Sequence, residues 1–273
     1  MYTKISIITP SFNQGEFIEE TILSVLNQNY DNIEYIIIDG GSSDNTINII
    51  KKYEHKIKYW ISENDDGQTD AINKGFERSS GDILCWLNSD DVYLPGTIQN
   101  IVNYFNTNPT IDVVYGDLEI IDKSGLVLGI KKVIPYSFRS QLFTASLIPQ
   151  PSSFWRASVT NRIGILNENY HYQMDYEYFV RMGAYNLNFG IIKKSLTQFR
   201  LHVGSKTITE YKKLFFIDQI EIQSRYIHTF LQNKRILIIL KYLYKLKVFI
   251  FRAIYRGDII PFRHIYRMRT QKN

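Results

Sequence analysis

Asp90 and Asp91 follow a wholly apolar run, Ile83-Leu84-Cys85-Trp86-Leu87, with only Asn88 and Ser89 between. Two adjacent carboxylates repel each other unless a cation or a turn uses them. Their hard oxygens suit Mg²⁺ or Mn²⁺, and Mg²⁺ is commonly held by one or two carboxylates plus substrate phosphates. The competing use is capping ahead of Pro95. Asp39 ends another apolar run. It reads as an acceptor for a nucleoside base or ribose, as acids beyond strand ends do elsewhere, or as a turn residue before Gly40-Gly41. Asp175 is the candidate general base: Phe179 and Met182 follow at i+4 and i+7, so its side of a helix faces inward. Such a base must reach an acceptor hydroxyl and take its proton; a plain N-cap is the other reading. Glu177 points elsewhere and is a weaker choice. His202, in Arg200-Leu201-His202, is either a metal ligand or donor beside a diphosphate, or a satisfied polar residue. His55, His171, His228 and His264 form no metal-ligand spacing with one another.

The elements that must position these groups alternate. Apolar strands are expected at Ile5–Thr9, Ile33–Ile38, Lys58–Ile61, Ile83–Leu87 and Val113–Tyr115. Helices are expected between them, over Phe17–Gln28, Thr46–Tyr53 (capped by Asp44), Thr69–Arg78 and from Pro95. Continuous apolar strands separated by amphipathic helices signal a parallel sheet covered on both faces, whose ligands bind at the strand carboxyl ends. Three strands deliver polar residues to that one rim: Thr9 to Asn13, Asp39 to Asp44, and Asn88 to Asp91. The middle is less regular. A hairpin turning at Gly125 joins Leu118–Ile121 to Leu126–Ile130, a helix covers Asp175–Tyr185, and Phe189–Ile192 and Leu196–Phe199 read as two strands. From Thr207 the chain reads as helical to about Arg256.

The 273 residues are 44% hydrophobic and 22% charged, ordinary values for a globular protein. The single cysteine, Cys85, cannot form an internal disulfide and reads as core filling. The first residues lack the basic start and apolar run of a signal peptide. No stretch approaches the roughly 18 uninterrupted apolar residues of a membrane span. The expected location is cytoplasmic, or peripheral on the inner face of the cell membrane. Net charge is +5, yet from Lys234 onward eleven lysines and arginines face one acid, Asp258. That tail carries +10 and residues 1–233 carry −5. An acidic body with a basic tail argues against a nucleic-acid enzyme, whose basic surface should surround the active site. The chain also lacks G-x-G-x-x-G, a P-loop and G-x-S-x-G.

Taken in order, the motifs resemble the family-2 inverting glycosyltransferases of GT-A fold, of bacterial surface-polysaccharide type. The resembling segments are Ile7 to Asn13, Ile38 to Asp44, Glu63 to Gly75, Gly81 to Asp91, Met174-Asp175-Tyr176-Glu177 with Arg181, and Phe199 to His202 with Ser205. The resemblance implies an α/β catalytic domain over 1–206, a Rossmann-like, mostly parallel sheet flanked by helices. A C-terminal helical basic extension occupies 207–273. It implies that Pro10, Phe12 and Asp39 hold the nucleobase and ribose, with Phe12 stacking on the base. Asp70 and Asn73 would line the donor sugar and nucleotide, with Asn88 and Ser89 in the same nucleotide-sugar group. Asp90, Asp91 and His202 would hold Mg²⁺ or Mn²⁺, Asp175 would be the base, and Gln150 and Ser152 would lie on the acceptor side. The implied enzyme is an inverting, metal-dependent, hexosyl-type transferase. Its donor is a nucleotide sugar, UDP-sugar favoured, and its acceptor a glycan or lipid-linked glycan. Asn88 departs from the acidic motif, which commonly begins with aspartate, and removes one negative charge from the metal site.

A nucleotidyltransferase shares a nucleotide-binding sheet but needs a glycine-rich loop with a basic residue after the first strand. Pro10 to Gly15 has none. A non-catalytic nucleotide-sugar-binding module remains the second alternative, disfavoured by an intact Asp90 and Asp175. In the tail, Lys234, Lys241, Lys245, Arg252 and Arg256 fall within a sector of roughly 60° at about 100° per residue. A narrow basic stripe on a wide apolar helix suits a membrane surface contact through 234–256; a packed helix with one solvated face is the other reading.

Overall fold

The computed structural model describes residues 3–144, 147–170, 172–202, 212–227 and 234–256. Four apolar runs form parallel strands: β1 (Ile5–Ser11), β2 (Ile33–Asp39), β3 (Tyr59–Ser62) and β4 (Ile83–Trp86), side by side in the order β3-β2-β1-β4. All seven residues of β1 are buried, as a strand covered on both faces requires. The crossovers are α1 (Ile18–Leu26), α2 (Thr46–Tyr53) and α3 (Gln68–Arg78). Ile18, Ile22, Val25, Ile49 and Ile50 pack on one face of the sheet. Ile72 and Phe76 of α3 pack with Ile8 and Trp86 in a separate core. Gly75 lets α3 approach β1 closely, since a Cβ there would stand 2.4 Å from Ile8 Cγ2. Cys85 is fully buried, and burial pushes its thiol up to about 12, as inert core filling implies.

Beyond β4 the strand directions mix. A short β5 (Val92–Tyr93) precedes α4 (Thr97–Thr107), and β6 (Val113–Asp122) turns at Gly125 into β7 (Val127–Lys131). α5 (Phe138–Thr144), β8 (Ser153–Arg156), α6 (Ala157–Ile163), α7 (Met174–Ala184) and β9 (Phe189–Leu201) complete this half. The sheet continues β4-β8-β6-β9-β5, with β6 parallel to β9 and antiparallel to β7 and β8. By paired residues the sheet is mostly parallel, with helices on its faces.

Two details differ from the sequence pattern. α4 starts at Thr97 and not at Pro95, because Gly96 takes a left-handed conformation (φ 75°) that interrupts a helix. β9 is one strand and not two. Its register against β6 shifts around Asp117, where exposed Lys193 and Lys194 bulge outward and break the apolar run.

The C-terminal segment forms two helices, α8 (Lys212–Tyr226) and α9 (Lys234–Arg256). The expected start at Thr207, the boundary at 206, Ser205 and the basic residues after 256 lie outside the described residues. α9 rests on the body. Leu237 and Val248 join the core of Leu142, Phe143 and Ile222, and the Tyr244 ring stacks on Phe143 at 4.9 Å. No described helix is long and apolar enough to cross a membrane.

One buried carboxylate ties the parallel strands together. Glu34 accepts from Ser6 Oγ at 2.5 Å, from Ser80 N at 2.6 Å and from Ser80 Oγ at 2.7 Å. Burial acts to raise its pKa, but these hydrogen bonds outweigh it and hold the carboxyl below its usual value. A carboxyl depressed on folding stabilises above its unfolded pKa, and that stability is lost as pH falls through the folded value. Glu34→Gln is therefore expected to cost about 1–3 kcal/mol at pH 7. The gap to wild type should narrow below about pH 4. Urea unfolding at both pH values tests this, and a pH-independent gap would contradict it.

Candidate active site

The carboxyl ends of β1 and β2 build one wall. Phe12, just beyond β1, is 58% exposed although aromatic, so its face is open to a ligand. Pro10 beneath it is buried. Ser11 Oγ, also buried, has no hydrogen-bond partner among the described residues. Asp39 is fully buried and accepts from Gly41 N (3.2 Å), Ser42 N (2.8 Å), Ser42 Oγ (2.6 Å) and Ser62 Oγ (2.7 Å). It shapes the loop after β2, and a ligand hydroxyl must replace one of these donors to reach it. Asp65, not singled out from sequence, packs where a Cβ on Gly40 would stand 2.7 Å from its Oδ2. Burial raises its carboxyl above the usual range, and Asp70 and Asp39 add to the effect. Asp70 pairs with Lys74 at 3.1 Å and accepts from Asp66 N at 3.1 Å.

The turn after β4 separates its two carboxylates. Asp91 points inward and is fully buried, accepting from Arg200 N (3.1 Å) and Asn88 Nδ2 (3.1 Å). Burial first, and neighbouring Asp90 second, hold its pKa well above the ordinary value. Asp90 points outward to His202, with Oδ2 at 3.0 Å from Nε2. The His202 ring packs on Phe17 with centroids 4.6 Å apart. Arg200, 2% exposed, fixes this corner by donating to Asp90 O at 3.1 Å and pairing with Glu20. In sequence, Arg200 stands only within the resembling segment Phe199 to His202, which gives it no role of its own.

A chain of amides links this turn to the third wall. Gln68 Nε2 donates to Asn88 Oδ1 at 2.8 Å, and Asn88 Nδ2 also donates to Gln150 Oε1 at 3.2 Å. Gln150 Nε2 donates in turn to Trp86 O at 2.8 Å. Next to Gln68, Thr69 Oγ1 donates to Met174 Sδ at 2.9 Å, which docks the start of α7 against the start of α3. Asp175 follows Met174. The helix cap is Gln173, and Asp175 accepts the N–H of its own neighbour, Tyr176, at 2.8 Å. The capping reading of Asp175 therefore fails, and a half-exposed carboxylate stands in the first turn. Glu177 is buried against Arg181 at 2.7 Å.

With this geometry in place, comparison with known proteins decides the family. Residues 6–154 match the family model described as Glycosyl transferase family 2. The chain belongs to that family. An uncharacterized glycosyltransferase of Rickettsia felis is 33% identical over 221 residues, covering 77% of this family-2 chain and 36% of the relative. The chain thus spans little more than a third of that relative's length. Among solved structures, S. aureus TarS 1-349 in complex with UDP-GlcNAc superposes with TM-score 0.62 at 19% identity, over 81% of this chain and 65% of that one. The mannosyltransferase PcManGT from Pyrobaculum calidifontis, in complex with GDP-Man and Mn2+, gives 0.64 at 14% identity, over 89% and 70%. At such identities the likeness is one of fold.

Several site residues expected for a family-2 transferase are placed differently. Asp91 is turned inward, with one carboxylate oxygen held by Arg200 N and the other by Asn88 Nδ2. Ser152 is fully buried, donating to Asp117 O at 3.1 Å and bonding Thr197 between β6 and β9, so it lies below any acceptor surface. Asn73 is used up in binding Leu166 N and O (both 3.0 Å) and Glu168 (2.8 Å). Ser89 and Gln150 are both buried. Asn88 belongs to the amide chain, where an aspartate would meet Asp91 and Gln150 oxygen to oxygen. Asn88→Asp is expected to destabilise the protein by about 1–3 kcal/mol without tightening Mn²⁺. Thermal unfolding with Mn²⁺ titration checks it, and tighter Mn²⁺ binding would return residue 88 to the ligand set.

Proposed function

We propose that this chain is an inverting glycosyltransferase moving a hexose-type sugar from a nucleotide-diphosphate sugar to an acceptor hydroxyl. The observation that carries the reading is the Thr69–Met174 contact. It holds the Asp175 end of α7 beside Gln68 and Asn88, and so beside the turn bearing Asp90. A base close to an anion-handling turn is what displacement at a sugar carbon needs.

Asp175 takes the acceptor hydroxyl proton while that oxygen attacks the anomeric carbon. The bond to the diphosphate oxygen breaks on the opposite side, and the nucleoside diphosphate leaves with that electron pair. Phe12 stacks on the base, the Ser11 hydroxyl and the Asp39 loop bind ribose or base, and Asp70 borders the sugar. Gln150 supports the acceptor side through Asn88. A UDP-sugar is the favoured donor, supported by the fold likeness to TarS with UDP-GlcNAc; the GDP-Man complex of PcManGT keeps a GDP-sugar in the test.

The residues present fit a divalent cation of the Mg²⁺ or Mn²⁺ kind. Asp90 and His202 supply one carboxylate and one imidazole 3.0 Å apart at the cleft, leaving the remaining positions to phosphates and water. No cluster of three or more acidic, histidine or cysteine side chains capable of holding a metal occurs among the described residues, so donor and metal should bind together. When bound, the metal neutralises charge on the leaving diphosphate. The acceptor in this reading is a glycan or lipid-linked glycan, and the setting is bacterial surface-polysaccharide synthesis at the cytoplasmic side of the cell membrane.

Calorimetric titration with UDP, GDP and dTDP, with and without Mn²⁺, should show one nucleotide binding in a metal-dependent way. Binding of none would remove the donor site. Asp175→Asn should lower turnover about 10²–10⁴-fold with nucleotide affinity near wild type. Unchanged turnover would exclude Asp175 as the base.

A further inference from the structure

α9 divides its circumference in a way its sequence alone did not decide. Leu237, Tyr244 and Val248 turn toward the body, and Lys241, from the basic stripe, is drawn to the same side by donating to Gln219 Oε1 at 2.5 Å. The apolar side is left outward. Ile239, Tyr242, Leu243, Leu246, Ile250 and Ile254 are 57%, 69%, 57%, 56%, 47% and 81% exposed. At about 100° per residue these six share one continuous sector, with Lys245 at one border and Lys247 at the other. An open groove of about 540 Å³ runs along one edge of the sector and across the Lys247 border, lined by Leu243, Leu246, Lys247, Ile250, Phe251 and Ile254. Exposed apolar faces of this extent mark interaction surfaces.

We propose that this face of α9 docks the protein in plane on an anionic lipid bilayer, with Ile239, Tyr242, Leu246 and Ile250 sunk among the headgroups. The occupant follows from charge. Lysines border the apolar sector on both sides, and residues 234–273 carry +10 while the rest of the chain carries −5. A surface that is apolar beneath and negative above matches that arrangement, and an electrically neutral one does not. A second copy laid face to face would bring the two lysine borders against each other. α9 also falls short of a membrane span, so it lies on the surface. α9 packs on α5 and α5 on α7. Lys131 of β7 lies within electrostatic reach of both Arg252 and Asp175. Docking therefore sets the Asp175 side of the cleft near the lipid, which suits a lipid-linked acceptor; that last point alone rests on the proposed transferase reading.

The test uses the full chain sedimented with vesicles of equimolar phosphatidylglycerol and phosphatidylcholine, and with phosphatidylcholine alone. Strong partition onto the anionic vesicles only is expected. Leu246→Glu with Ile250→Glu should weaken it at least about a hundredfold. Lys245→Glu with Lys247→Glu should weaken it about tenfold or more and flatten its salt dependence. Should the first pair fail to fold, Tyr242→Trp reports directly: its added emission shifts to the blue and is quenched by brominated lipid if the face is immersed. Nucleotide titration of the same samples keeps the donor reading separate from the docking reading. Wild type that ignores anionic vesicles would overturn the proposal. So would unchanged partition of the folded Leu246→Glu/Ile250→Glu variant, an unshifted emission from the Tyr242→Trp variant, or a dimer abolished by the Leu246→Glu/Ile250→Glu pair without vesicle binding.

Discussion

A guanidinium buried at the end of β9 has to find partners on every side, because an unpaired charge in the interior is far costlier than any contact it displaces. Arg200 meets that demand by gathering separate parts of the chain. It donates to Asp90 O, to Lys123 O at 3.2 Å and to Asp122 O at 3.4 Å, pairs with Glu20 of α1, and lies over the Phe17 ring at 5.3 Å. The β4 turn, the β6–β7 hairpin and the start of α1 thus meet at one cation. His202 stands two residues further on, held against the same Phe17 ring, so the site's imidazole inherits its position from the arginine.

The same corner resolves the conflict between two adjacent carboxylates. Asp91 is turned inward to a backbone N–H and an amide, where burial favours its neutral form, and Asp90 is left to face the cleft. Asn88 is part of that solution. Its amide donates to Asp91 and Gln150 and accepts from Gln68, a pattern that a carboxylate cannot reproduce. The amide at residue 88 is therefore satisfied by hydrogen bonds, and of the two carboxylates only Asp90 is left to pair with His202.

The two halves of the sheet divide the work. Parallel strands β1 to β4 bring Phe12, Asp39 and Asp90 together at their carboxyl ends, while the mixed strands beyond them and α7 position Gln150 and Asp175. The two share a core in which Ile8, Phe76 and Trp86 meet Trp155 and Tyr178, and the bonds from Thr69 to Met174 and from Asn73 to Leu166 and Glu168 tie α3 to the second half. α9 is attached to the second half through α5, so whatever surface it engages is coupled to the wall that carries Asp175.

Local pattern was sufficient for the parallel half. Its strands are buried on both faces and its helices on one, so hydrophobic periodicity alone locates Ile5, Ile33 and Ile83 as strand starts and places Phe12, Asp39 and Asp90 on one rim. Adjacent motifs also singled out Asp175 and His202. Pattern failed where a residue's role depends on what lies across the chain. The acidic pair points to Asp91, and the family resemblance to Ser152 and Asn73; in the structure Asp91 bonds Arg200 N, Ser152 bonds Asp117 O, and Asn73 bonds Leu166 and Glu168. The long β9 was hidden by its lysine bulge. For α9 the sequence determined an amphipathic helix with a basic stripe. Which side meets the body was decided only by tertiary packing, since Leu237, Leu240, Tyr244 and Val248 pack into the core that includes Leu142, Phe143 and Ile222, while Tyr242, Leu246 and Ile254 stay exposed.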